Sequence, residues 1–369
     1  MKVTIEKLDN FGRGITHIKN KICFVDNALP GEVVEIEITK EKSKYIEAKN
    51  ISIAELSKDR IEIDCPYYDI CGGCSLRHLK YAKENEFKEQ KVKELLKHIG
   101  KLDIKVNDII TGPENNYRNK VTFHKSKNKI GYYQKGTRNI ISIDNCLLLD
   151  NIINDNIKNI NIDNNEIIIR SSNDGNSLLI NDIDSIITNI GDKKYYLSKD
   201  SFFQVNKYGV EILYNKVKEY ANLSGKEKVL DLYCGTGTIG IYLAKEAKEV
   251  FGIEINKNAI NDAICNKDLN KINNIDFLCS DVGKIKEDYK DIDLVVLDPP
   301  RAGLSKDAIK NVIDINPNKI IYVSCDSITL ARDLNIFKNK YNIKEITLVD
   351  MFPNTYHVEC VCLLMKKKS

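Results

Sequence analysis

Asp231-Leu-Tyr-Cys-Gly235-Thr-Gly237-Thr-Ile-Gly240 decides how the second half of this chain folds. The apolar run Lys228–Leu232 leads into it and a helical pattern leaves it, so a GxGxxG sequence sits between a strand and a helix. Gly235 and Gly237 let the backbone turn tightly and approach a ligand closely. Outward from that turn, buried-strand runs alternate with helical segments: Lys228–Leu232, Val250–Ile253, Ile275–Leu278, Leu294–Leu297 and Lys319–Ser324. The alternation predicts an open parallel α/β sheet with helices on both faces. Two further strands, Ile343–Val349 and His357–Leu364, are separated only by Asp350–Tyr356, too short for a helical crossover, and must form an antiparallel hairpin. Glu254 ends the second strand, where a carboxylate can accept hydrogen bonds from both hydroxyls of a ribose. The pattern predicts a bound nucleotide but does not by itself separate a nicotinamide cofactor from S-adenosylmethionine.

The rest of the sheet separates them. Its fourth strand ends in Asp298-Pro299-Pro300-Arg301, a rigid loop at the carboxyl edge where such sheets bind ligands. With the antiparallel final hairpin, residues 222–369 resemble the class I S-adenosylmethionine methyltransferase sheet, seven-stranded with an antiparallel last strand. Methyltransferases that attack exocyclic amines usually end this loop in an aromatic residue. Arg301 departs from that pattern and argues for a different target atom.

The fifth strand runs Ile320-Ile-Tyr-Val-Ser324-Cys325-Asp326 and hands over to a helix near Ser327. Cys325 is thus expected at the carboxyl edge beside a helix N-terminus, an environment that lowers a thiol pKa. A small residue at a strand end is the plainer account of the same position. In the methyltransferase sheet the final strand lies antiparallel beside the fifth, so Glu254, Asp298, Cys325 and Glu359 would converge on one edge. A thiol and a carboxylate beside a methyl donor suit methylation of pyrimidine C5. That carbon becomes nucleophilic once a thiolate adds to C6, and a base must then remove the C5 proton.

Phe202-Phe203-Gln204-Val205-Asn206, Asp231–Gly237, Asp298-Pro-Pro-Arg-Ala-Gly303, Val323-Ser-Cys325 with Thr329-Leu-Ala-Arg-Asp333, and His357-Val-Glu359 together resemble the uracil-C5 RNA methyltransferase family. The resemblance implies Cys325 as nucleophile and Glu359 as the base. It also implies that Gln204, Tyr233, Glu254 and Asp298 bind S-adenosylmethionine, with Asp281 facing the adenine. Family members often carry Pro two residues after the nucleophile, where this chain has Ser327.

Residues 1–58 read as short strands with turn signals at Asp9–Gly14 and Leu29–Glu32, predicting a small β-barrel of the oligonucleotide-binding kind. Phe11-Gly-Arg-Gly14 through Ala28-Leu-Pro-Gly31 resembles the RNA-binding TRAM barrel. Residues 59–195 form a central α+β part with a helix between His78 and Gly100, and residues 196–369 the methyltransferase domain. From Tyr117 to Arg138, Arg118, Lys120, Lys125, Lys127, Lys129, Lys135 and Arg138 are interrupted by no acidic residue and interleave with Tyr117, Phe123, His124, Tyr132 and Tyr133. Cations for phosphates and rings for unstacked bases are the elements of single-strand RNA recognition; a solvated hairpin face is the alternative.

The chain has 369 residues, enough for two or three domains, with 42% hydrophobic and 30% charged residues. Its net charge of +3 excludes a wholesale polybasic protein. No apolar run approaches the roughly 20 residues that span a bilayer, and the first residues lack a signal-peptide core; a cytoplasmic protein with no membrane partner is expected. In that compartment 11 cysteines are not a disulfide framework. Cys65-x5-Cys71-Gly-Gly-Cys74 reads as a metal loop, with Cys146 the best fourth ligand and His78 a competitor that would favour zinc. Ribosomal members of the family carry a 4Fe-4S cluster on this cysteine pattern. The resemblance therefore implies that cofactor here, beside S-adenosylmethionine, with a structural role. The TRAM-like segment together with the cluster motif points to a target in 23S ribosomal RNA; the uridine must leave its stack to reach Cys325, so a loop or bulge is expected, modified by a monomer. Uridine 54 of transfer RNA is the alternative target. A cytosine-C5 methyltransferase, a non-catalytic RNA chaperone and a cluster-dependent oxidoreductase are the rival classes.

Overall fold

The computed structural model describes residues 1–126, 129–159, 164–181, 183, 185–199, 201–285, 289 and 291–368. They form two compact units: Met1–Lys91 with Ser126–Ile143 and Phe352–Tyr356, and Val92–Lys125 with Asp144–Met351 and His357–Ser369.

In the first unit, β1 (Lys2–Thr4), β2 (Lys7–Leu8), β3 (Gly14–Ile18), β4 (Lys21–Asp26), β5 (Val33–Glu41) and β6 (Tyr45–Glu55) form one sheet in the order β1-β5-β6-β4-β3-β2. Only the β4–β6 pair is parallel. The edges β1 and β2 are halves of one segment broken at Ile5-Glu6: the first half pairs with β5, the second with β3. Between them Ile5 N donates to Glu32 O at 2.9 Å, and Gly31 N donates to Ile5 O at 2.8 Å. Because one stretch supplies both edges, the sheet closes into a barrel and leaves no bare edge. Ile18, Cys23, Val25, Val34, Ile36, Ile46 and Ala48 fill it from alternating positions.

α1 (Tyr81–His98) begins three residues later than the apolar pattern suggests, because Leu79 belongs to a preceding turn, its N–H donating to Leu76 O at 2.9 Å. Val92 and Leu96 of α1 lie in the core of the second unit. β7 (Lys120–Ser126), β8 (Lys129–Tyr133), β9 (Ile140–Ser142), α2 (Asn151–Asn156), β10 (Glu166–Ser171), β11 (Leu178–Ile180), β12 (Ser185–Ile190) and β13 (Lys193–Ser198) follow. β10 pairs antiparallel with β7 and β11, β8 with β9, and β12 with β13.

Then come α3 (Gly209–Ala221), β14 (Lys228–Leu232), α4 (Thr238–Ala244), β15 (Glu249–Glu254), α5 (Lys257–Leu269), β16 (Ile275–Cys279), β17 (Leu294–Leu297), α6 (Lys306–Ile315), β18 (Lys319–Ser324), α7 (Ser327–Phe337), β19 (Tyr341–Val349) and β20 (Glu359–Lys366). The sheet order is β16-β15-β14-β17-β18-β20-β19. β14 to β18 are parallel, and β20 runs antiparallel to both β18 and β19. β17 is buried at every position, as expected of a strand covered by helices on both faces. The chain leaves β14 for β15 on one side and returns to β17 on the other, so the carboxyl end of β14 is the switch point where such sheets bind ligands. Within the described residues no helix is long and apolar enough to cross a membrane.

Candidate active site

At that switch point Tyr233 carries φ of 63°, an unusual left-handed backbone for a tyrosine, and Gly235 and Gly237 follow at 53° and 77°. The two glycines serve different ends. A Cβ on Gly235 would meet nothing within 4 Å, so its backbone faces open space. One on Gly237 would stand 2.6 Å from Phe277 Cζ, so that glycine lets α4 pack against the sheet. Glu254 Oε2 accepts from Gly235 N at 3.3 Å and Oε1 from Asn256 N at 2.8 Å. Each oxygen keeps a lone pair for a hydroxyl. Asp231, fully buried, accepts from Gly240 N at 2.8 Å, and burial pushes its pKa up to about 8. Asp281 is partly spent elsewhere: its Oδ1 caps the short turn Val282–Lys284, accepting from Gly283 N at 2.8 Å. Burial pushes Asp298 up to about 7 and Tyr233 to about 12. Gln204 is buried, whereas Phe202, two positions earlier, is 70% exposed.

Ser324 and Cys360 are in register, so Cys325 stands one residue past the end of β18 and Glu359 begins β20. Glu359 is buried, and desolvation followed by the Asp298 charge holds its pKa well above the usual carboxylate range. The half-buried Cys325 contradicts the expectation of a lowered thiol pKa. Burial, then the charges of Glu359 and Asp298, push it up to about 12. The N-terminus of α7 gives little help because Asp326 already caps it, its Oδ1 accepting from Ile328 N at 3.0 Å and Thr329 N at 2.9 Å. Arg301 is the cation that favours the ionised forms of both Cys325 and Glu359. Sequence reasoning used Arg301 only as a departure from a pattern and missed this placement.

It also missed what holds Arg301 there. Thr329 Oγ1 donates to Arg301 O at 3.2 Å, and Arg332 Nη2 donates to Ala302 O and Leu304 O, each at 3.1 Å. Fully buried Asp333 Oδ2 accepts from Leu304 N at 2.9 Å and from Tyr322 Oη at 2.7 Å. α7 therefore ties the loop Asp298–Gly303 to β18, the strand that carries the thiol. The edge gathers a thiol, carboxylates and one guanidinium beside an open glycine turn, an arrangement suited to covalent addition and proton removal on a small planar substrate next to a nucleoside cofactor.

A family model described as tRNA (uracil-5-)-methyltransferase matches residues 154–367, and a TRAM-domain model matches residues 1–51. The chain belongs to the tRNA (uracil-5-)-methyltransferase family. Among relatives, an uncharacterized RNA methyltransferase of Clostridium acetobutylicum is 36% identical, covering 99% of this chain and 96% of its own length. One from Caldanaerobacter subterraneus is 34% identical, over 98% and 97%. Among solved structures, the Pyrococcus abyssi tRNA (uracil-54, C5)-methyltransferase in complex with S-adenosyl-L-homocysteine superposes with a TM-score of 0.83. It is 27% identical and covers 99% of this chain and 100% of that one. The protein is thus an S-adenosylmethionine-dependent RNA methyltransferase with a TRAM domain and a class I methyltransferase fold.

Two other groups of predicted residues are placed differently in this methyltransferase. Tyr117 and Phe123 are buried core residues and cannot stack on RNA bases. Tyr133 is exposed; Lys127 lies outside the described residues. Cys65, Cys71 and Cys74 are half-buried on one loop of the first unit, where Tyr68 N donates to Cys65 O and Cys71 N to Tyr67 O. Cys146, in the second unit, is held locally by Asn154, whose Oδ1 accepts from its N–H at 3.0 Å. His78 is buried against Tyr68, whose hydroxyl hydrogen-bonds Nδ1, and desolvation lowers its pKa to about 3. Among the described residues no three Cys, His, Asp or Glu side chains are gathered to hold a metal ion. The loop offers thiolate donors of the kind metal sites and iron–sulfur clusters use.

Proposed function

We propose that this methyltransferase modifies C5 of a uridine in 23S ribosomal RNA, with Cys325 as nucleophile and Glu359 as base. The observation that carries the mechanism is the register of β18 and β20, which sets the thiol and the carboxylate at one edge of the sheet beside Asp298 and Arg301. S-adenosylmethionine, when bound, supplies an electrophilic methyl group. Glu254 offers acceptors to its ribose, Gly235 leaves room for it, and Gln204, Tyr233, Asp281 and Asp298 complete the surround. The Cys325 thiol releases its proton to solvent, Sγ forms a bond to C6 of uracil, and the C5–C6 electron pair moves toward O4, which makes C5 nucleophilic. After methylation the ionised form of Glu359, which Arg301 favours, takes the C5 proton, the C5–C6 double bond re-forms and the C6–S bond breaks, returning the thiolate. Arg301 offsets the negative charge that collects at this edge during addition.

The TRAM match together with the cysteine loop supports the ribosomal target. The fold of the Pyrococcus abyssi structure supports transfer-RNA uridine 54 as the second reading. The cysteine loop, with Cys146, is assigned to a structural 4Fe-4S cluster in a central domain (residues 59–195) between a barrel (1–58) and the methyltransferase domain (196–369) of a cytoplasmic monomer. Iron and sulfide content of anaerobically purified protein tests the cluster; Cys71→Ala that keeps full activity and folding without bound metal would discard it.

Tritium release from RNA labelled at uridine C5 tests the reaction. Glu359→Gln should accumulate a denaturant-resistant protein–RNA adduct, since addition precedes proton removal, and Cys325→Ala should form none. Mapping 5-methyluridine in ribosomal and transfer RNA with and without the gene separates the two targets.

A further inference from the structure

A cavity of about 760 Å³ opens in the first unit, walled by the barrel, the cysteine loop and the segment after β8. We propose that it binds a second unpaired nucleotide of the RNA, apart from the target uridine, with the base against Phe11. This inference rests on the RNA-methylation reading and adds a recognition site to it.

Four observations carry it. Phe11, on the turn after β2, is 50% exposed, although a ring that size normally goes to a core. The turn holds it rigidly: Asp9 Oδ1 accepts from Phe11 N and Arg13 N, each at 2.8 Å, and Tyr356 packs edge-on against the ring at 5.4 Å. A preorganised exposed ring is a stacking platform that costs little entropy to use. The cavity has the size of a small-ligand site, and its wall mixes donors and acceptors, with amides from Asn27, Asn50 and Gln134. Asn50 Nδ2 donates to Asn27 O at 3.0 Å, which fixes that amide in the wall.

Charge points to a nucleotide rather than a free polyanion. Asp26 pairs with Lys135 at 3.0 Å and Glu47 with Lys40 at 3.4 Å. Exposed Lys49 has no ion-pair partner among the described residues. Asp69, also in the wall, accepts from Asn27 Nδ2 at 2.9 Å, so the uncommitted ammonium suits a single backbone phosphate and not a free polyanion, and the amide-lined wall suits a base edge. Phe11, Asn27, Lys49 and Asn50 lie on the barrel matched by the TRAM model, and Gln134 on the segment after β8.

The test uses the full chain and a fluorescein-labelled, unstructured oligouridylate. Phe11→Ala and Lys49→Glu should each weaken its binding about fivefold or more, with iron content and S-adenosylhomocysteine affinity unchanged. Oligouridylate carrying 4-thiouridine should photo-crosslink to the peptides of Phe11 or Tyr356. Wild-type affinity in both variants, or crosslinks only outside the cavity, in a protein that still releases tritium from uridine-labelled RNA overturns the cavity alone. A wild-type protein that neither binds RNA nor releases tritium overturns the methylation reading and this inference together.

Discussion

Alkylation of Cys325 by iodoacetamide in the ligand-free enzyme is expected to be slow at neutral pH, and the size of the effect follows from the site. Burial and the facing carboxylates move the thiol from its ordinary value of 9.0 to about 12. Each unit is a factor of ten in thiolate, so at pH 7.5 the reactive form is about a thousandfold scarcer than for an unshifted thiol. A more basic thiolate is also the better nucleophile, recovering about 20-fold over three units. The net expectation is alkylation roughly 50-fold slower than at an unshifted thiol. The rate should still be climbing with pH where ordinary thiols have levelled off. Peptide mapping by mass spectrometry resolves Cys325 from exposed Cys265, which serves as internal reference. Glu359→Gln removes the largest charge opposing the thiolate and should raise the alkaline rate; Arg301→Met should lower it. If Cys325 reacted as fast as Cys265 at pH 7.5 and levelled off near neutrality, the reasoning would be wrong and the helix N-terminus would dominate.

Three further outcomes follow from the same edge. Gly303→Ala should destabilise the protein by about 2 kcal/mol or more in urea unfolding, since Gly303 sits at φ of 70° and its Cβ would stand 2.6 Å from Arg332 Nη2 and 2.8 Å from Asp333 Oδ2. Asp333→Ala leaves the Tyr322 hydroxyl and Leu304 N–H without their acceptor and should cost about 3 kcal/mol by the same assay. Asp231, raised from 3.8 to about 8, keeps a proton in the folded state that the unfolded chain releases above about pH 4. Its contribution to stability is therefore whole below that pH and is lost as pH rises to about 8. The Tm of Asp231→Asn relative to wild type should climb between pH 5 and pH 8 and then flatten; a constant difference would refute the shift.

The methyltransferase half was legible because its signals are local. β14, β17 and β18 have the bounds read from their apolar runs, and the short Asp350–Tyr356 link dictated the antiparallel hairpin. Once that hairpin was placed, the convergence of Cys325 and Glu359 followed from register alone. What stayed hidden depends on how chain segments meet. A buried Phe123 and an exposed Phe11 look alike among neighbouring cations, so the rings chosen for RNA included core residues, and Phe11 entered only as part of the TRAM-like segment. The thiol's raised pKa was equally invisible. A helix start after Cys325 is readable, but not that Asp326 would already occupy its N–H groups.

β20 lies between β18 and β19, yet it follows both in the chain. β18 and β19 are made first, and the place between them in the sheet belongs to a strand made later. Until the strand that begins with Glu359 fills it, the nascent chain carries its thiol without the carboxylate opposite. β20 is the last strand made and the last but one in the sheet, so a chain cut short by a stop codon just before Glu359 would lose the link between β18 and β19 rather than an edge strand.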